Sequence, residues 1–152
     1  MIALKIAAVF CMAASVGILY RIPRSLLLYG SLTGVLGWLV MSGTVSVGGH
    51  LIMADFFGSV VVGLSAELLA RLLRTPATIF IIPGFIPLVP GGEAYTTMLY
   101  LVSGQYNDGV AMGVKTVLIG SAIAFGLFVS STIYHLVINY HMENNVEHVD
   151  KN

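Results

Sequence analysis

Charged side chains are scarce in this sequence. Seven Lys and Arg and seven Asp and Glu make up 9% of the 152 residues and leave no net charge, whereas roughly 25% of residues in a soluble domain are charged. So few charges cannot cover a water-soluble surface, and a balanced charge provides no field to attract nucleic acid. The single cysteine, Cys11, excludes an internal disulfide and a cage of cysteine ligands. We therefore expect no bound metal, no cofactor and no nucleic-acid partner.

The sequence instead has apolar runs as long as a bilayer core. Apolar residues make up 57% of the chain, and a membrane-crossing helix needs about 20 of them in succession. The runs predict an all-α integral membrane protein with about five transmembrane helices in contact with lipid. Residues 1–140 form a single membrane domain in this interpretation, and residues 141–152 form a polar C-terminal tail. The predicted spans are residues 2–20, 25–42, 51–70, 76–102 (broken) and 110–140.

Arginines near two predicted turns indicate the orientation. Arg21 and Arg24 lie between the first two spans, and Arg71 and Arg74 follow the third. Short arginine-bearing loops stay in the cytoplasm, so we place both turns inside. With five spans the N-terminus is then outside and the C-terminus inside, whereas with four spans both ends are outside.

The fourth predicted span is interrupted by prolines. Pro83, Pro87 and Pro90 fall within eight residues, together with Gly84 and a Gly-Gly pair at 91–92. Proline removes a helix hydrogen-bond donor and clashes with the preceding turn, so this segment cannot form one regular helix. The segment is therefore either a broken span or, as the alternative, a re-entrant segment added to four spans. We expect one short helix to begin at residues 75–76, with Thr75 as its cap, and a second to begin at residues 91–93.

A broken span leaves a helix N-terminus near mid-membrane, where many secondary transporters hold a carboxylate or a coupling ion. The N–H groups near Gly92 would face an anionic substrate group, and Tyr95, Thr96 and Thr97 would supply hydroxyls. The alternative is a proline-kinked helix with a structural role only. The candidate residues for the substrate path are Pro83, Gly84, Pro87, Pro90, Gly91, Gly92, Glu93, Tyr95, Thr96 and Thr97.

Ionisable residues within spans are costly and are functional candidates by default. Asp55 falls in the outer part of the third span and Lys115 in the outer part of the fifth, at a similar predicted depth. They are candidates for an ion pair, or for a proton or cation carrier (Asp55) and a carboxylate anchor (Lys115), and Lys115 can also extend to the interface. Glu67 and Arg71 are spaced for an ion pair along one helix.

The run IPGFIPLVPGG at residues 82–92, followed by Tyr95, resembles the signature of the threonine/serine exporter (ThrE-like) family, in its C-terminal membrane domain. This resemblance implies a secondary exporter of small amino acids in the cytoplasmic (inner) membrane of a prokaryote, driven by a proton or cation gradient. Some two-component relatives export a dicarboxylate such as succinate. Full-length members join two membrane domains, so the resemblance implies a separately encoded, larger membrane partner that carries the other domain.

The sequence thus predicts a transporter subunit with a small carboxylate-bearing substrate. The alternative is a scaffold or channel-like subunit whose partner holds the substrate site. An intramembrane enzyme is disfavoured, because no paired carboxylates, metal-ligand spacing or Ser/His constellation shares a predicted depth.

Overall fold

The computed structural model describes residues 2–149, with the side chains of residues 2–134, 136 and 137. Within this range the chain is helical apart from its turns and contains no strand, which confirms the predicted fold class. Residues 141–149, predicted as a polar tail, continue the last helix, and residues 150–152 lie outside the described range. The helices are α1 (Ile2–Leu19), α2 (Arg24–Ser46), α3 (Leu51–Leu73), α4 (Thr78–Phe85), α5 (Gly91–Val102) and α6 (Tyr106–Val149), with a 3₁₀ turn (Ile86–Leu88) after α4.

The helices account for about five membrane spans. Four are long and apolar enough to cross a membrane: α1, α2, α3 and residues 106–134 of α6. The segment 78–88 passes the same test only together with α5, and the two parts are bent by 49° at their break. A re-entrant hairpin must turn back toward the side it entered, whereas a 49° bend leaves α5 running in the general direction of α4. This geometry favours five spans, the fourth of them broken, over four spans with a hairpin.

Both arginine-bearing turns lie at the same end of the bundle. Arg21 (φ 56°) and Arg74 (φ 52°) adopt the left-handed conformation that ends α1 and α3. Leu26, in the first turn of α2, packs in one cluster with Ala70 of α3 and Phe80 of α4. The two turns are therefore on the same side of the bundle, as we expected from the arginines in the sequence.

The start of α4 differs from the prediction. The helix begins at Thr78 after Ala77, and no side chain caps it. Thr75 Oγ1 is buried without a hydrogen-bond partner instead of capping the helix. Pro76 belongs to the preceding turn, where its carbonyl oxygen accepts the N–H of Ile79 at 3.2 Å. The capping hypothesis for Thr75 was therefore wrong, because α3 continues to Leu73 and α4 begins at Thr78, two residues later than we expected.

Glycines on α2 allow the proline segment to approach closely. A Cβ atom at Gly30 would lie 2.9 Å from Pro83 Cγ, and one at Gly34 would lie 3.1 Å from the Pro83 carbonyl oxygen. These distances leave no room for a side chain at either position. In the apolar interior of a membrane bundle, small residues of this kind let two backbones pack directly. The segment 78–88 consequently lies in the groove between α2 and α3.

The helices α3 and α6 pack through two reciprocal contacts between small residues. Gly126 of α6 lies against Ser59 and the Phe56 carbonyl of α3, while Gly63 of α3 lies against Ser130 of α6. Each glycine admits a serine from the facing helix. The paired positions 59–126 and 63–130 advance in the same direction along both helices, so α3 and α6 are parallel and the two contacts together define their register.

Labelling of introduced cysteines should distinguish five spans from four. Starting from Cys11→Ser, single cysteines are introduced as Ser25→Cys, Val47→Cys and Gln105→Cys, at positions whose side chains are exposed. With a broken fourth span, a membrane-impermeant maleimide on one side of oriented vesicles labels Val47→Cys and Gln105→Cys together. It labels Ser25→Cys only from the other side. Labelling of Gln105→Cys together with Ser25→Cys would contradict the five-span arrangement.

Replacing Gly126 with alanine should destabilise the bundle, because the added methyl group would lie 2.7 Å from the Phe56 carbonyl oxygen. Overpacking typically costs roughly 1–3 kcal/mol, which exceeds the gain of about 1 kcal/mol in helix propensity. Gly120→Ala is the matched control, since nothing lies within 4 Å of that position. Denaturation in detergent should show a lower midpoint for Gly126→Ala only. Equal midpoints for the two variants would refute the close contact.

Candidate functional site

The break in the fourth span is shorter than the proline pattern predicted. Pro83 is tolerated inside α4, which continues to Phe85 before the 3₁₀ turn. Val89 is extended (φ −61°, ψ 129°), and Pro90 (φ −75°, ψ 58°) precedes the first residue of α5, Gly91. The helical path is therefore interrupted only at residues 89–90. Pro83 is buried in the contact with α2, so its surroundings are those of a packing residue.

Thr33 of α2 forms a hydrogen bond with the backbone in the first turn of α4, well before this break. Its hydroxyl is fully buried and lies 2.7 Å from the Gly30 carbonyl oxygen and 3.1 Å from the Phe80 carbonyl oxygen. The single hydroxyl proton is shared between the two acceptors. Irregular backbone at membrane depth is tolerated when neighbouring helices supply hydrogen bonds in this way. Gly84 lies within van der Waals reach of the same hydroxyl, so Gly84 also belongs to this packed interface.

A small cavity lies beside the break. Its volume is about 160 Å³, room for roughly five water molecules at about 30 Å³ each and less than the 300 Å³ or more of typical drug-sized sites. It is bounded by α2, α3, the segment 87–90, α5 and α6. The lining residues are Met41, Leu51, Asp55, Pro87, Leu88, Val89, Pro90, Glu93 and Ile119.

Two of these residues are acids, and the rest of the wall is apolar. Asp55, in the second turn of α3, is only 3% exposed. Glu93, in the first turn of α5, is half-buried. Both acids line the same small cavity. No described residue donates a hydrogen bond to Asp55 or forms an ion pair with it. The cavity therefore has two acidic side chains in its wall, and no described side chain supplies a cation that would compensate their charge.

The N-terminus of α5 adjoins the same cavity. The helix has no side-chain cap, and its first backbone hydrogen bond runs from the N–H of Ala94 to the Pro90 carbonyl oxygen, at 3.0 Å. The N–H groups of Gly92 and Glu93 have no acceptor within the described part of the chain. Free N–H groups at a helix start carry a partial positive charge. Negative side chains and a positive helix end thus lie on neighbouring parts of one small site.

Lys115 does not join this site. Its side chain is exposed, and Ile119, one turn further along α6, lines the cavity. Neither Asp55 nor Lys115 has an ion-pair partner among the described residues, so the ion pair considered from the sequence is not formed. Glu67 likewise accepts a long hydrogen bond from Ser131 Oγ (3.4 Å), and the described residues contain no ion pair between Glu67 and Arg71. The relative depth of Asp55 and Lys115 that we inferred from the predicted helix boundaries was therefore in error by about one helical turn.

The hydroxyls predicted for the substrate path also lie elsewhere. Tyr95 is 71% exposed on the outer face of α5. Thr96 and Thr97 donate to the Gly92 and Glu93 carbonyl oxygens, each at 2.8 Å. None of the three lines the cavity, because consecutive helix residues point in different directions and a threonine hydroxyl readily satisfies the carbonyl one turn earlier. The structure therefore places these three hydroxyls away from this cavity, and the hypothesis that they contact a substrate stays a prediction.

Of the predicted residues, the structure brings Asp55, Glu93, Pro87 and Pro90 together. Gly91 and Gly92 lie at the exposed start of α5. The sequence patterns did not indicate the apolar part of the wall. Nothing in the local sequence marks Met41, Leu51 or Ile119, since they are ordinary apolar residues of three separate helices and only packing unites them.

Comparisons with known proteins give one family. The sequence model of a family described as "Threonine/Serine exporter, ThrE" matches residues 5–133. An uncharacterized protein from Haemophilus influenzae (strain Rd) is 25% identical over 132 residues, which cover 81% of this chain and 44% of that protein. The chain thus spans less than half the length of that curated relative. No solved structure matches the chain significantly.

Neutralising either cavity acid should stabilise the ligand-free protein, because Asp55→Asn and Glu93→Gln each remove one of two charges that repel each other. The double variant should gain less than the sum of the single gains, with a coupling of about 0.5–3 kcal/mol for residues in contact. The measurement is the denaturation midpoint of the four proteins at alkaline pH. Glu67→Gln removes a half-buried acid of α3 that does not line the cavity and should show no coupling to Glu93→Gln. Additive effects of Asp55→Asn and Glu93→Gln would contradict a shared cavity.

Proposed function

Because the chain belongs to the threonine/serine exporter family, we propose that it is a membrane subunit of a secondary exporter of small amino acids, threonine and serine in particular. The observation that carries this proposal is the small acid-lined cavity at the break between α4 and α5. Secondary transporters characteristically hold substrate and coupling ions at discontinuous helices near the bilayer midplane. In this proposal the protein acts as a transporter subunit rather than as an enzyme.

In the proposed mechanism the broken span changes the access to the cavity. The residues at the break, Val89 and Pro90, form no continuous helix, so α5 can change its angle to α4 without disrupting a hydrogen-bonded ladder. The segment 78–88 is held in the groove between α2 and α3 by Thr33 and by its close approach to Gly30. The helix α5 packs mainly on α6. Movement of the α5–α6 pair against the other helices would open the cavity to one side of the membrane at a time.

The cavity also favours an amino acid over a dicarboxylate. A substrate such as succinate carries two negative charges and no positive one, and it would meet two further carboxylates in a small space whose other lining side chains are apolar. Like charges at short range in a medium of low dielectric constant repel strongly. A zwitterionic amino acid brings one charge of each sign, which suits a site with acids and a helix N-terminus side by side.

A larger membrane partner is the second part of the proposal. The chain covers 44% of the longer relative from Haemophilus influenzae, which leaves room there for another membrane domain. None of the residues of α5 is buried, although α1, α2, α3 and α4 each bury some. Its exposed apolar side chains, Met98 (62%) and Val102 (76%) among them, suit coverage by a partner helix. We place the partner on this face, where it would complete the substrate path.

The proposed setting is the inner membrane of a prokaryote, with the arginine turns in the cytoplasm. The N-terminus is then outside and the C-terminus inside. Energy would come from a proton or cation gradient, without a bound cofactor.

We expect transport to require both subunits. Vesicles containing this chain alone, a larger member of the family alone, or both subunits together are loaded with labelled threonine, serine or succinate, and efflux is measured under an imposed ion gradient. We expect efflux of threonine and serine only from vesicles with both subunits. Full efflux without this chain would support a scaffold role instead, and selective efflux of succinate would overturn the amino-acid assignment.

In the same vesicles, Pro87→Ala combined with Pro90→Ala should reduce efflux by at least about tenfold, corresponding to ~1.4 kcal/mol in a rate. The replacements restore two N–H groups and let the helix continue through the break, which removes the irregular wall of the cavity. Pro76→Ala is the matched control, since Pro76 lies in the exposed turn before α4. Unchanged efflux in the double variant, with normal membrane insertion, would remove the break from the mechanism.

A further inference from the structure

Asp55 lacks the partner that a buried carboxylate requires. Its side chain is 3% exposed and lines the cavity, and no described residue forms a hydrogen bond or ion pair with it. Its charged neighbour is Glu93, a second acid. Ionisable groups in membrane spans are normally paired or face their ligand. A positively charged group entering the cavity would compensate both carboxylates at once.

The chemistry of the wall selects the kind of cation. The described residues contain no group of three or more His, Cys, Asp or Glu that could hold a metal ion. Calcium requires six to eight oxygen ligands and magnesium nearly ideal octahedral coordination, whereas the remaining side chains of the wall are apolar. An ammonium group needs only three acceptors, and two carboxylates can provide them as strong, charge-assisted hydrogen bonds. The wall therefore fits an ammonium group better than a metal ion.

The cavity also adjoins groups that could bind a negative group on the same ligand. The N–H groups of Gly92 and Glu93 have no acceptor among the described residues and lie at the start of α5, next to the Glu93 carboxylate. Among the side chains that the structure describes, no other titratable group lines the cavity: α2 contributes Met41, α3 also contributes Leu51, α6 contributes Ile119, and the segment 87–90 contributes only apolar residues. The volume of about 160 Å³ restricts the ligand to a small molecule.

We infer that Asp55 and Glu93 together bind the ammonium group of a small zwitterionic amino acid, whose carboxylate lies toward the free N–H groups of Gly92 and Glu93. This inference deepens the proposed function and rests on it for the identity of the ligand. It assigns substrate recognition to the ammonium group, where the sequence alone suggested recognition of the carboxylate.

Threonine and its two truncated analogues test the inference. Binding of labelled threonine is measured with the full chain in lipid nanodiscs, together with the larger subunit where it co-purifies. 3-Hydroxybutyrate lacks the ammonium group, and 1-amino-2-propanol lacks the carboxylate. We expect 1-amino-2-propanol to displace threonine weakly and 3-hydroxybutyrate and succinate not at all. Displacement by 3-hydroxybutyrate as effective as displacement by threonine itself would overturn the inference.

Variants locate the binding on the two acids. Asp55→Asn and Glu93→Gln should each weaken threonine binding by at least about tenfold, whereas Glu67→Gln, in the same membrane domain but away from the cavity, should bind as the natural protein does. Asp55→Glu keeps the charge and should restore part of the affinity, which separates loss of the carboxylate from misfolding. Natural affinity in both Asp55→Asn and Glu93→Gln would refute the site. Loss of ²²Na⁺ binding in Asp55→Asn with unchanged threonine binding would assign the acids to an inorganic cation and also refute it.

Efflux from vesicles separates this inference from the proposed function. If the acid variants lose threonine binding but the natural protein shows no threonine efflux with its partner, the ammonium site stands and the export function fails. If Asp55→Asn and Glu93→Gln export threonine normally, the export function stands and the ammonium site fails.

Discussion

The structure depends on one constraint: in lipid, every backbone N–H and C=O must find a partner within the protein. Helices satisfy this requirement along most of the chain, and the prolines at 87 and 90 violate it at one place. The segment before this break lies in the groove between α2 and α3, where glycines of α2 leave room for it. Thr33 adds a hydroxyl for carbonyl groups of α2 and α4. The break is possible because the neighbouring helices are shaped to receive it.

The same constraint produces the candidate site. Where the helix stops, the N–H groups at the start of α5 are left free, and the chain turns so that Glu93 faces Asp55 across a small cavity. In apolar surroundings an uncompensated charge is expensive, so two acids without a cation mark a position where a ligand is expected to complete the structure. Fold and function are therefore linked here: the irregular backbone supplies one half of the site, and α3 supplies the other.

Much of this arrangement follows from sequence patterns. Low charge and long apolar runs predicted a bundle of about five spans, the prolines predicted the broken one, and Asp55, Lys115 and Glu93 were all candidate functional residues. Other features were not predictable in the same way. Pro83 is accommodated within α4 because α2 offers small residues opposite it. Thr96 and Thr97 satisfy their own helix, since side-chain direction changes by about 100° per residue in a helix of 3.6 residues per turn.

By itself, the sequence determined the all-helical membrane fold, the number and order of the helical segments, and the position of the break, because these depend on local properties: hydrophobicity over about 20 residues and the missing N–H of proline. Only the tertiary structure decided which charges meet. Asp55 faces Glu93 and not Lys115 because the register between α3 and α6, defined by their glycine–serine contacts, brings Ile119 to the cavity. One helical turn is only about 5.4 Å. A difference of that size cannot be read from hydropathy, yet it decides whether two intramembrane charges attract, repel or never meet.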